Sequence, residues 1–367
     1  MKKKIEIIFY FFISLTVLIS NSFAQQIENK NQGQLFPIKK NNKWGYIDKT
    51  GKVVVQPQFE FAAPFSEGLA QIKNDKLYGY IDNKGKIVIT PQFSWAWEFS
   101  NSMAVVKVAG KKNYGYINKS GNVVIEPKFT QAYNFSDSLA RIKIDKKWGY
   151  IDREGKTIIE PQFKNAYRFS EGLAPVMIGD EWGYIDKIGN IIIEPQFEKA
   201  SVFSEGLAPV RIDDEWGYID RTGKIIIEPQ FENCSGFIEG LAAVKIDDEW
   251  GYIDKSGKLN IESKFERIRG IGNVAHSLHS MSIVAINNYK IDTNPEFYGH
   301  SHGRFPDGLD LIRIDKRYGF IDKTGRIVIQ PRFNWAQNFS DGLAMVRVGN
   351  QYGYIDKTGK YIWEPTK

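Results

Sequence analysis

The chain has 367 residues, of which 42% are hydrophobic, 25% charged and 14% aromatic, a globular composition that excludes a disordered chain. Its 49 basic and 43 acidic residues nearly balance, which excludes the concentrated positive charge of a nucleic-acid-binding protein. A single cysteine, Cys234, excludes an internal disulfide framework and a multi-cysteine zinc site.

The first 24 residues have the pattern of a secretory signal peptide. Three lysines at positions 2–4 precede the apolar stretch 5–19, and Ser22-Phe23-Ala24 supplies small residues at the two positions that a signal peptidase reads. The apolar stretch is short for a membrane span. We therefore expect cleavage after Ala24, a short linker over residues 25–34, no membrane span in the mature chain, and export to the periplasm, the cell surface or the medium.

An internal repeat dominates the remainder of the chain. The run Trp44-Gly45-Tyr46-Ile47-Asp48 recurs with small changes, and its glycine falls at positions 45, 79, 115, 149, 183, 217, 251, 319 and 353. Most of these steps are 34 residues; one is 36 and one is 68, which is twice the repeat. The sequence therefore predicts an array over residues 35–367 of ten units, nine of them clean and one degenerate at about residues 268–308.

Each unit is predicted to form a three-stranded meander. In residues 207–228, three segments rich in β-branched and aromatic residues are separated by Asp213-Asp214-Glu215 and by Asp220-Arg221-Thr222-Gly223. Aspartate favours the first position of a turn, and glycine accepts the left-handed conformation that closes a hairpin. Asp220 and its counterparts are therefore predicted to be turn residues and not catalytic acids or bases.

A connector with the pattern Phe-x-x-Ala-x-x-Phe joins one meander to the next, for example Phe197, Ala200 and Phe203. The spacing suits a short helical turn with one side packed inward. Cys234 takes the alanine position of this pattern, so the sequence predicts a small buried apolar residue there rather than a nucleophile.

Together, Trp-Gly-Tyr-Ile-Asp-x-x-Gly, the Glu-Pro-x-Phe that follows the third strand and Phe-Ser-Glu-Gly-Leu-Ala resemble the bacterial WG-repeat (KWG-type) family. The resemblance extends from about Leu35 to Pro365, apart from the degenerate unit. It implies a β-rich repeat scaffold without a general catalytic role, and it assigns no functional residue because the recurrent residues are structural. Tyrosine replaces the tryptophan at positions 78, 114, 318 and 352.

The predicted fold class is all-β, a tandem array of about ten three-stranded meander repeats, and two forms compete. Each meander has two apolar faces, so units must stack on their neighbours. Propellers usually have 4–8 blades of four strands, whereas this chain starts and ends with whole meanders and leaves no strand to close a ring. The pattern favours an open or superhelical β-repeat solenoid, with a β-propeller-like ring as the alternative.

Candidate ligand-binding residues are aromatic side chains at variable connector positions, since aromatic rings stack on sugars or fill partner pockets. These are Trp95, Trp97, Tyr133, Tyr167 and Trp335. The alternative is that the rings extend the core between units. Tips such as Asp180-Glu181, Asp213-Asp214-Glu215 and Asp247-Asp248-Glu249 form either solvated turns or an acidic ridge.

All four histidines, namely His276, His279, His300 and His302, fall in the degenerate unit. Imidazole is a common metal ligand, but the spacing matches no helix face, and a solvated loop is the favoured interpretation. No catalytic residue and no cofactor are predicted. The leading hypothesis is an exported, non-enzymatic scaffold that binds a protein or a surface glycan; the alternatives are a metal-dependent hydrolase built on the histidines and a purely structural envelope spacer.

Overall fold

The computed structural model describes residues 34–247, 249–261, 306–314, 316–322 and 326–366. Within them the protein is all-β, and every pair of neighbouring strands is antiparallel. A single 3₁₀ turn, Pro306–Gly308, interrupts the strands of this part of the chain. The predicted signal peptide and the predicted degenerate unit, apart from its last three residues, lie outside the described residues, and so do the four histidines.

Units 1 to 3 begin the array. Their strands are β1 (Phe36–Lys40), β2 (Lys43–Ile47), β3 (Val53–Phe59), β4 (Phe61–Ser66), β5 (Leu69–Asn74), β6 (Leu77–Asp82), β7 (Ile87–Ala96), β8 (Met103–Val108), β9 (Tyr114–Asn118) and β10 (Val123–Phe129). The first sheet has the order β1-β2-β3, and β4 to β10 form one sheet of seven strands because β7 runs unbroken from unit 2 into unit 3.

Units 4 to 7 each form a four-stranded sheet in chain order. Their strands are β11 (Gln131–Ser136), β12 (Leu139–Ile144), β13 (Lys147–Ile151), β14 (Thr157–Phe163), β15 (Asn165–Ala166), β16 (Ala174–Ile178), β17 (Glu181–Ile185), β18 (Ile191–Phe197), β19 (Lys199–Ala200), β20 (Ala208–Ile212), β21 (Glu215–Ile219), β22 (Ile225–Phe231), β23 (Asn233–Cys234), β24 (Leu241–Ile246), β25 (Glu249–Asp254) and β26 (Leu259–Ile261).

Units 9 and 10 end the array. Their strands are β27 (Leu309–Ile314), β28 (Arg317–Asp322), β29 (Ile327–Phe333), β30 (Trp335–Ala336), β31 (Leu343–Val348), β32 (Gln351–Asp356) and β33 (Tyr361–Thr366). The predicted all-β repeat class is confirmed, and so are the three strands of each meander.

The connector is a β-strand, so the predicted helical turn is wrong. In unit 5 the residue pairs are Asn165 with Met177 and Ala166 with Val176, which adds a fourth strand to the meander. Phe163 pairs with Trp148 in the preceding sheet. The three-residue spacing of buried positions therefore arises because one extended segment leaves one sheet and enters the next, and not from a helical period.

Predicted buried framework residues are confirmed along the connectors. Phe93, Ala96 and Phe99 are at most 4% exposed, as are Phe333, Ala336 and Phe339. Cys234 is buried in the alanine position, as predicted.

The glycine of the Trp-Gly-Tyr run permits close contact between two strands. A Cβ atom on Gly183 would stand 2.6 Å from the carbonyl oxygen of Ile193 and 2.8 Å from the nitrogen of Pro195. Both are backbone atoms of the adjacent strand, which cannot move independently of the sheet. The repeat therefore requires glycine here because no other residue fits between β17 and β18.

Neighbouring units are joined by hydrogen bonds that recur at the repeat spacing. The hydroxyl of Tyr184 donates to the carbonyl of Ser201 at 2.8 Å, and the hydroxyl of Ser170 donates to the carbonyl of Phe203 at 2.7 Å. A carboxylate oxygen of Glu171 accepts the backbone N–H of Gly206 at 3.0 Å. Each of these bonds crosses from unit 5 to unit 6, so side-chain hydrogen bonds fix the two units against each other.

The first and last units also pack against each other, at a contact that we call the seam. One apolar cluster contains Leu35, Phe36 and Ile38 of unit 1 together with Leu343 and Tyr354 of unit 10. This is the contact expected of the propeller-like ring. The described strands make this contact although units 1 and 10 share no strand. The expectation of an open array assumed that a ring needs such a shared strand.

Phe36 explains how the seam closes. It occupies the position that alanine holds in Ala70, Ala104, Ala140, Ala174, Ala208, Ala242 and Ala344. Its ring lies 5.5 Å from that of Tyr354. In an interior unit, the phenylalanine of the next connector makes the equivalent contact, as Phe203 does with Tyr184 at 5.0 Å. A ring from β1 thus replaces a connector ring at the seam.

Candidate functional site

A continuous series of ring contacts crosses the seam, and we call it the aromatic band. Its six members are Trp335, Tyr352, Trp44, Phe61, Tyr78 and Trp95. Consecutive ring centroids are separated by 6.1, 6.3, 6.3, 6.4 and 6.0 Å. Two of the predicted binding residues, Trp95 and Trp335, are the ends of this series.

Two positions of the repeat build the aromatic band. The ring that precedes the repeat glycine supplies Tyr352, Trp44 and Tyr78, and the connector supplies the others two residues after its first phenylalanine. Because the connector crosses between sheets, Phe61 contacts both Trp44 and Tyr78. At the seam, by contrast, Tyr352 and Trp44 touch each other directly.

Exposure differs along the aromatic band. Trp95 is 41% exposed, whereas Trp44 is buried at 6%; the other four rings are half-buried. The half-buried rings are held by packing on one side and reach solvent on the other. This geometry provides rigid aromatic contact area, whose immobilisation on binding costs little entropy.

Lysine side chains lie over the rings. The Nζ of Lys39 is 6.0 Å from the centroid of the Trp44 ring, and that of Lys73 is 5.1 Å from Tyr78. Each lysine is the direct cross-strand partner of its ring, which places both side chains on one face of the sheet. The arrangement combines positive charge with aromatic surface.

The hairpin tips divide the array by charge. Units 3 and 4 carry Lys111, Lys112, Lys146 and Lys147, whereas units 5 to 7 carry Asp180, Glu181, Asp213, Asp214, Glu215, Asp247 and Glu249. Basic side chains nearby pair with part of this acidic set: Lys164 contacts Asp180 at 2.6 Å, and Arg211 contacts Asp214. The basic tips of units 3 and 4 therefore follow the aromatic band along the chain, and the acidic tips of units 5 to 7 lie further along.

The remaining predicted residues, Trp97, Tyr133 and Tyr167, form a separate group. Trp97 and Tyr133 have ring centroids 5.5 Å apart, and Tyr167 stacks on Trp182 at 5.0 Å with an interplanar angle of 10°. All three are half-buried and pack against apolar clusters. These ring contacts lie in units 3 to 5.

Arg141 lies within this second group and was missed by the sequence analysis. Its guanidinium is 4.0 Å from the ring centroid of Tyr133 and 4.4 Å from that of Trp148, and it donates to the carbonyl of Ala166. Burial lowers its pKa. In the sequence, Arg141 could have been recognised because later units have proline, Pro175 and Pro209, at its position. The bond to Ala166 joins unit 4 to unit 5.

The repeated aspartates are turn residues, as predicted. An oxygen of Asp220 accepts the Thr222 hydroxyl at 2.6 Å and the backbone N–H of Thr222 at 2.9 Å. These bonds lower the pKa of Asp220. Among the described residues, no group of three or more His, Cys, Asp or Glu side chains is placed to hold a metal ion. The same part of the chain contains no helix that is long and apolar enough to span a membrane.

Comparison with solved structures places the fold. A eukaryotic initiation factor matches with a TM-score of 0.56 and 11% identity, over 92% of this chain and 98% of that chain. Two weaker likenesses are the apo AztD protein of Citrobacter koseri, with a TM-score of 0.36, 12% identity and coverage of 91% and 94%, and virginiamycin B lyase of Staphylococcus aureus, with 0.34, 12%, 54% and 82%. At these identities the likeness is one of fold. No curated protein gives a significant sequence match.

The repeat itself matches a known sequence family. The WG containing repeat matches at residues 44–78, 78–111, 114–148, 148–182, 182–216, 216–250, 250–273 and 318–352. These matches cover more than half of the chain and follow the units described above. With its glycine at the close approach of two strands and its aromatic ring before that glycine, the chain belongs to the WG-repeat family.

Proposed function

We propose that this protein is an exported, non-catalytic binding scaffold whose aromatic band takes up an anionic surface glycan. The observation that carries the proposal is the unbroken series of six rings from Trp335 to Trp95. Ring faces stack on the apolar faces of sugars, and several rings in series suit a polymer better than a single small molecule.

Charge supports an anionic polymer in particular. Lys39 and Lys73 lie over rings of the aromatic band, and basic tips follow in units 3 and 4. Acidic tips occupy units 5 to 7, so an anionic chain is attracted to the tips of units 3 and 4 and repelled by those of units 5 to 7. A repeat scaffold supplies such an extended surface without a catalytic group.

Export is part of the proposal, and it is tested separately. The signal pattern predicts that the mature chain begins at Gln25. Mass spectrometry of the protein recovered from its native envelope checks this N-terminus, and an intact Met1 or Lys2 contradicts export by this route.

Alanine substitutions at the ends of the aromatic band test the binding surface. We expect Trp95→Ala and Trp335→Ala to weaken retention on an immobilised uronic-acid polysaccharide about tenfold each. Trp95 is 41% exposed, so we expect its truncation to cost clearly less than the roughly 3–5 kcal/mol of a buried tryptophan.

A matched control is Ile188→Ala, which removes an apolar side chain that is 73% exposed on a turn away from the aromatic band. This variant should retain wild-type binding. Equal retention by all three variants contradicts the proposal, and a loss of stability of core size at Trp95 assigns that ring to packing instead.

A further inference from the structure

The seam holds an open cleft of about 430 Å³. It is lined by Asn42 from the tip of unit 1 and by Val348, Gly349, Asn350 and Gln351 from the tip of unit 10. Its volume lies within the roughly 300–1,000 Å³ that is typical of small-ligand sites. The cleft thus lies between the two hairpins that lead into Trp44 and Tyr352 of the aromatic band.

Comparison with interior units explains the open space. There, the first connector residue reaches the tip of its own unit: a carboxylate oxygen of Glu60 accepts the backbone N–H of Lys76 at 3.4 Å, and one of Glu198 accepts that of Asp214 at 3.3 Å. The connector also places a ring, such as Phe61, between the rings of two consecutive units, here Trp44 and Tyr78. At the seam the neighbouring rings, Tyr352 and Trp44, touch directly instead.

Hydrogen bonding at the seam also shows unit 10 in the place that a connector takes in interior units. In unit 6, the carbonyl of Pro209 accepts the backbone N–H of Ser201 in the connector at 3.0 Å. The equivalent carbonyl of unit 1, that of Pro37, accepts the hydroxyl of Tyr354 at 2.9 Å. The side chain of unit 10 therefore takes the place of a connector N–H at this point.

The lining of the cleft is chemically distinct from the other tips. Asn42, Asn350 and Gln351 are uncharged amides, each able to donate and to accept hydrogen bonds. Equivalent tips elsewhere carry charges, as in Asp75-Lys76, Asp145-Lys146 and Asp213-Asp214. Neutral hydroxyl and acetamido groups need donors and acceptors together, and they need no counter-charge.

We propose that the seam cleft binds one neutral sugar ring, of the N-acetylhexosamine class, within a glycan held on the aromatic band. The amides bond its hydroxyl and acetamido groups, and the lysines beside Trp44 and Tyr78 attract acidic sugars on either side of it. This inference rests on the proposed function and adds a subsite to it. A peptide is the competing occupant, and the experiment includes it.

The backbone of the tip allows a clean variant. Asn42 has a φ of 59°, and Asn41 before it has a φ of 51°, so glycine at position 42 keeps the turn and removes the amide. Lys76 has a φ of 66° at the same place in unit 2. Lys76→Gly is therefore the matched control, because it makes the same backbone change at an interior tip.

The test measures binding of chito-oligosaccharide to the full chain by titration calorimetry. We expect Asn42→Gly combined with Asn350→Ala to weaken binding about tenfold and Lys76→Gly to leave it unchanged. Wild-type affinity in the double variant overturns the subsite, as does an unstructured asparagine-rich peptide that binds the wild-type chain more tightly than the sugar. Trp95→Ala, measured on the uronic-acid polysaccharide, reports separately on the aromatic band, so failure of the subsite and failure of the proposed function give different results.

Discussion

The hydroxyl of Tyr354 donates a hydrogen bond of 2.9 Å to the carbonyl of Pro37, a residue 317 positions earlier in the chain. Elsewhere the same tyrosine of the repeat bonds a carbonyl only 17 positions away, as Tyr184 bonds Ser201. One repeated side chain therefore joins consecutive units through most of the array, and at the seam it joins the two ends.

Removal of this hydroxyl should loosen the seam selectively. We expect Tyr354→Phe to lower the free energy of unfolding by about 0.5–1.5 kcal/mol and to speed amide hydrogen exchange in β1 and β32. Tyr184→Phe is the control, since it removes the equivalent bond within the chain and should leave exchange in β1 unchanged. Equal exchange of β1 in both variants contradicts a role for Tyr354 in closure.

Truncation of Phe36 should have a larger effect. Its side chain is 5% exposed and packs on the ring of Tyr354. We expect Phe36→Ala to cost about 3–5 kcal/mol, measured by urea unfolding. Phe203→Ala gives the interior reference for the same contact, and a cost at Phe36 of less than about 1 kcal/mol shows that the ends do not pack as described.

Glycine substitutions separate steric contact from backbone strain. Gly183→Ala places a Cβ atom 2.6 Å from a backbone oxygen, and we expect a loss of about 3 kcal/mol or more because β17 and β18 must separate. Gly206 has a φ of +87° with nothing within 4 Å of its Cβ position, so Gly206→Ala should cost only about 1–2 kcal/mol of strain. The free energies of unfolding of the two variants check which loss is larger. A larger loss in Gly206→Ala than in Gly183→Ala refutes the steric explanation.

Acid should weaken the turns. Hydrogen bonds from the Thr222 hydroxyl and from backbone N–H groups lower the pKa of Asp220 in the folded state, and the Ser256 hydroxyl does the same for Asp254. A lowered folded-state pKa means that the stabilisation is complete above the ordinary aspartate value of 3.8. It is lost as the pH falls through the lowered value.

The chain itself supplies the design of the acid test. Asn118 replaces the turn aspartate in unit 3, and its Oδ1 still accepts the N–H of Ser120 at 3.1 Å and that of Asn122 at 3.0 Å. We expect Asp220→Asn with Asp254→Asn to fold and to lose less stability than the wild type between pH 5 and pH 2. Urea unfolding midpoints of the two proteins, measured across this pH range, check the prediction. If the variant and the wild type lose stability equally, these carboxylates are not the cause of the acid sensitivity.

Much of the fold can be predicted from the repeat, because it depends on local sequence. The spacing of Trp-Gly-Tyr and of Asp-x-x-Gly correctly predicts the strands and turns, because each depends on residues within a few positions. The connector was misassigned because its buried residues belong to two sheets, and a single-segment pattern of Phe197, Ala200 and Phe203 does not distinguish that from a helical turn.

The aromatic band was harder to predict. Trp95 and Trp335 were selected as variable aromatic residues, yet their connection runs through Tyr352 and Trp44, which belong to opposite ends of the sequence. The periodicity of the sequence predicts the contacts between consecutive units. It does not predict the contacts between the last unit and the first. Phe36 was the signal for closure, because seven other units have alanine at its position and unit 9 has Asp310.

The seam also bears on circular permutation. Between units such as 5 and 6 the segment 191–200 contributes β18 to one sheet and β19 to the next, so new termini placed there would separate these two strands. No described strand crosses from unit 10 to unit 1. Of the described junctions between consecutive units, the seam is therefore the one that can be opened without separating a connector from the sheet before it, and a permuted chain with its termini at another junction would lose that continuity.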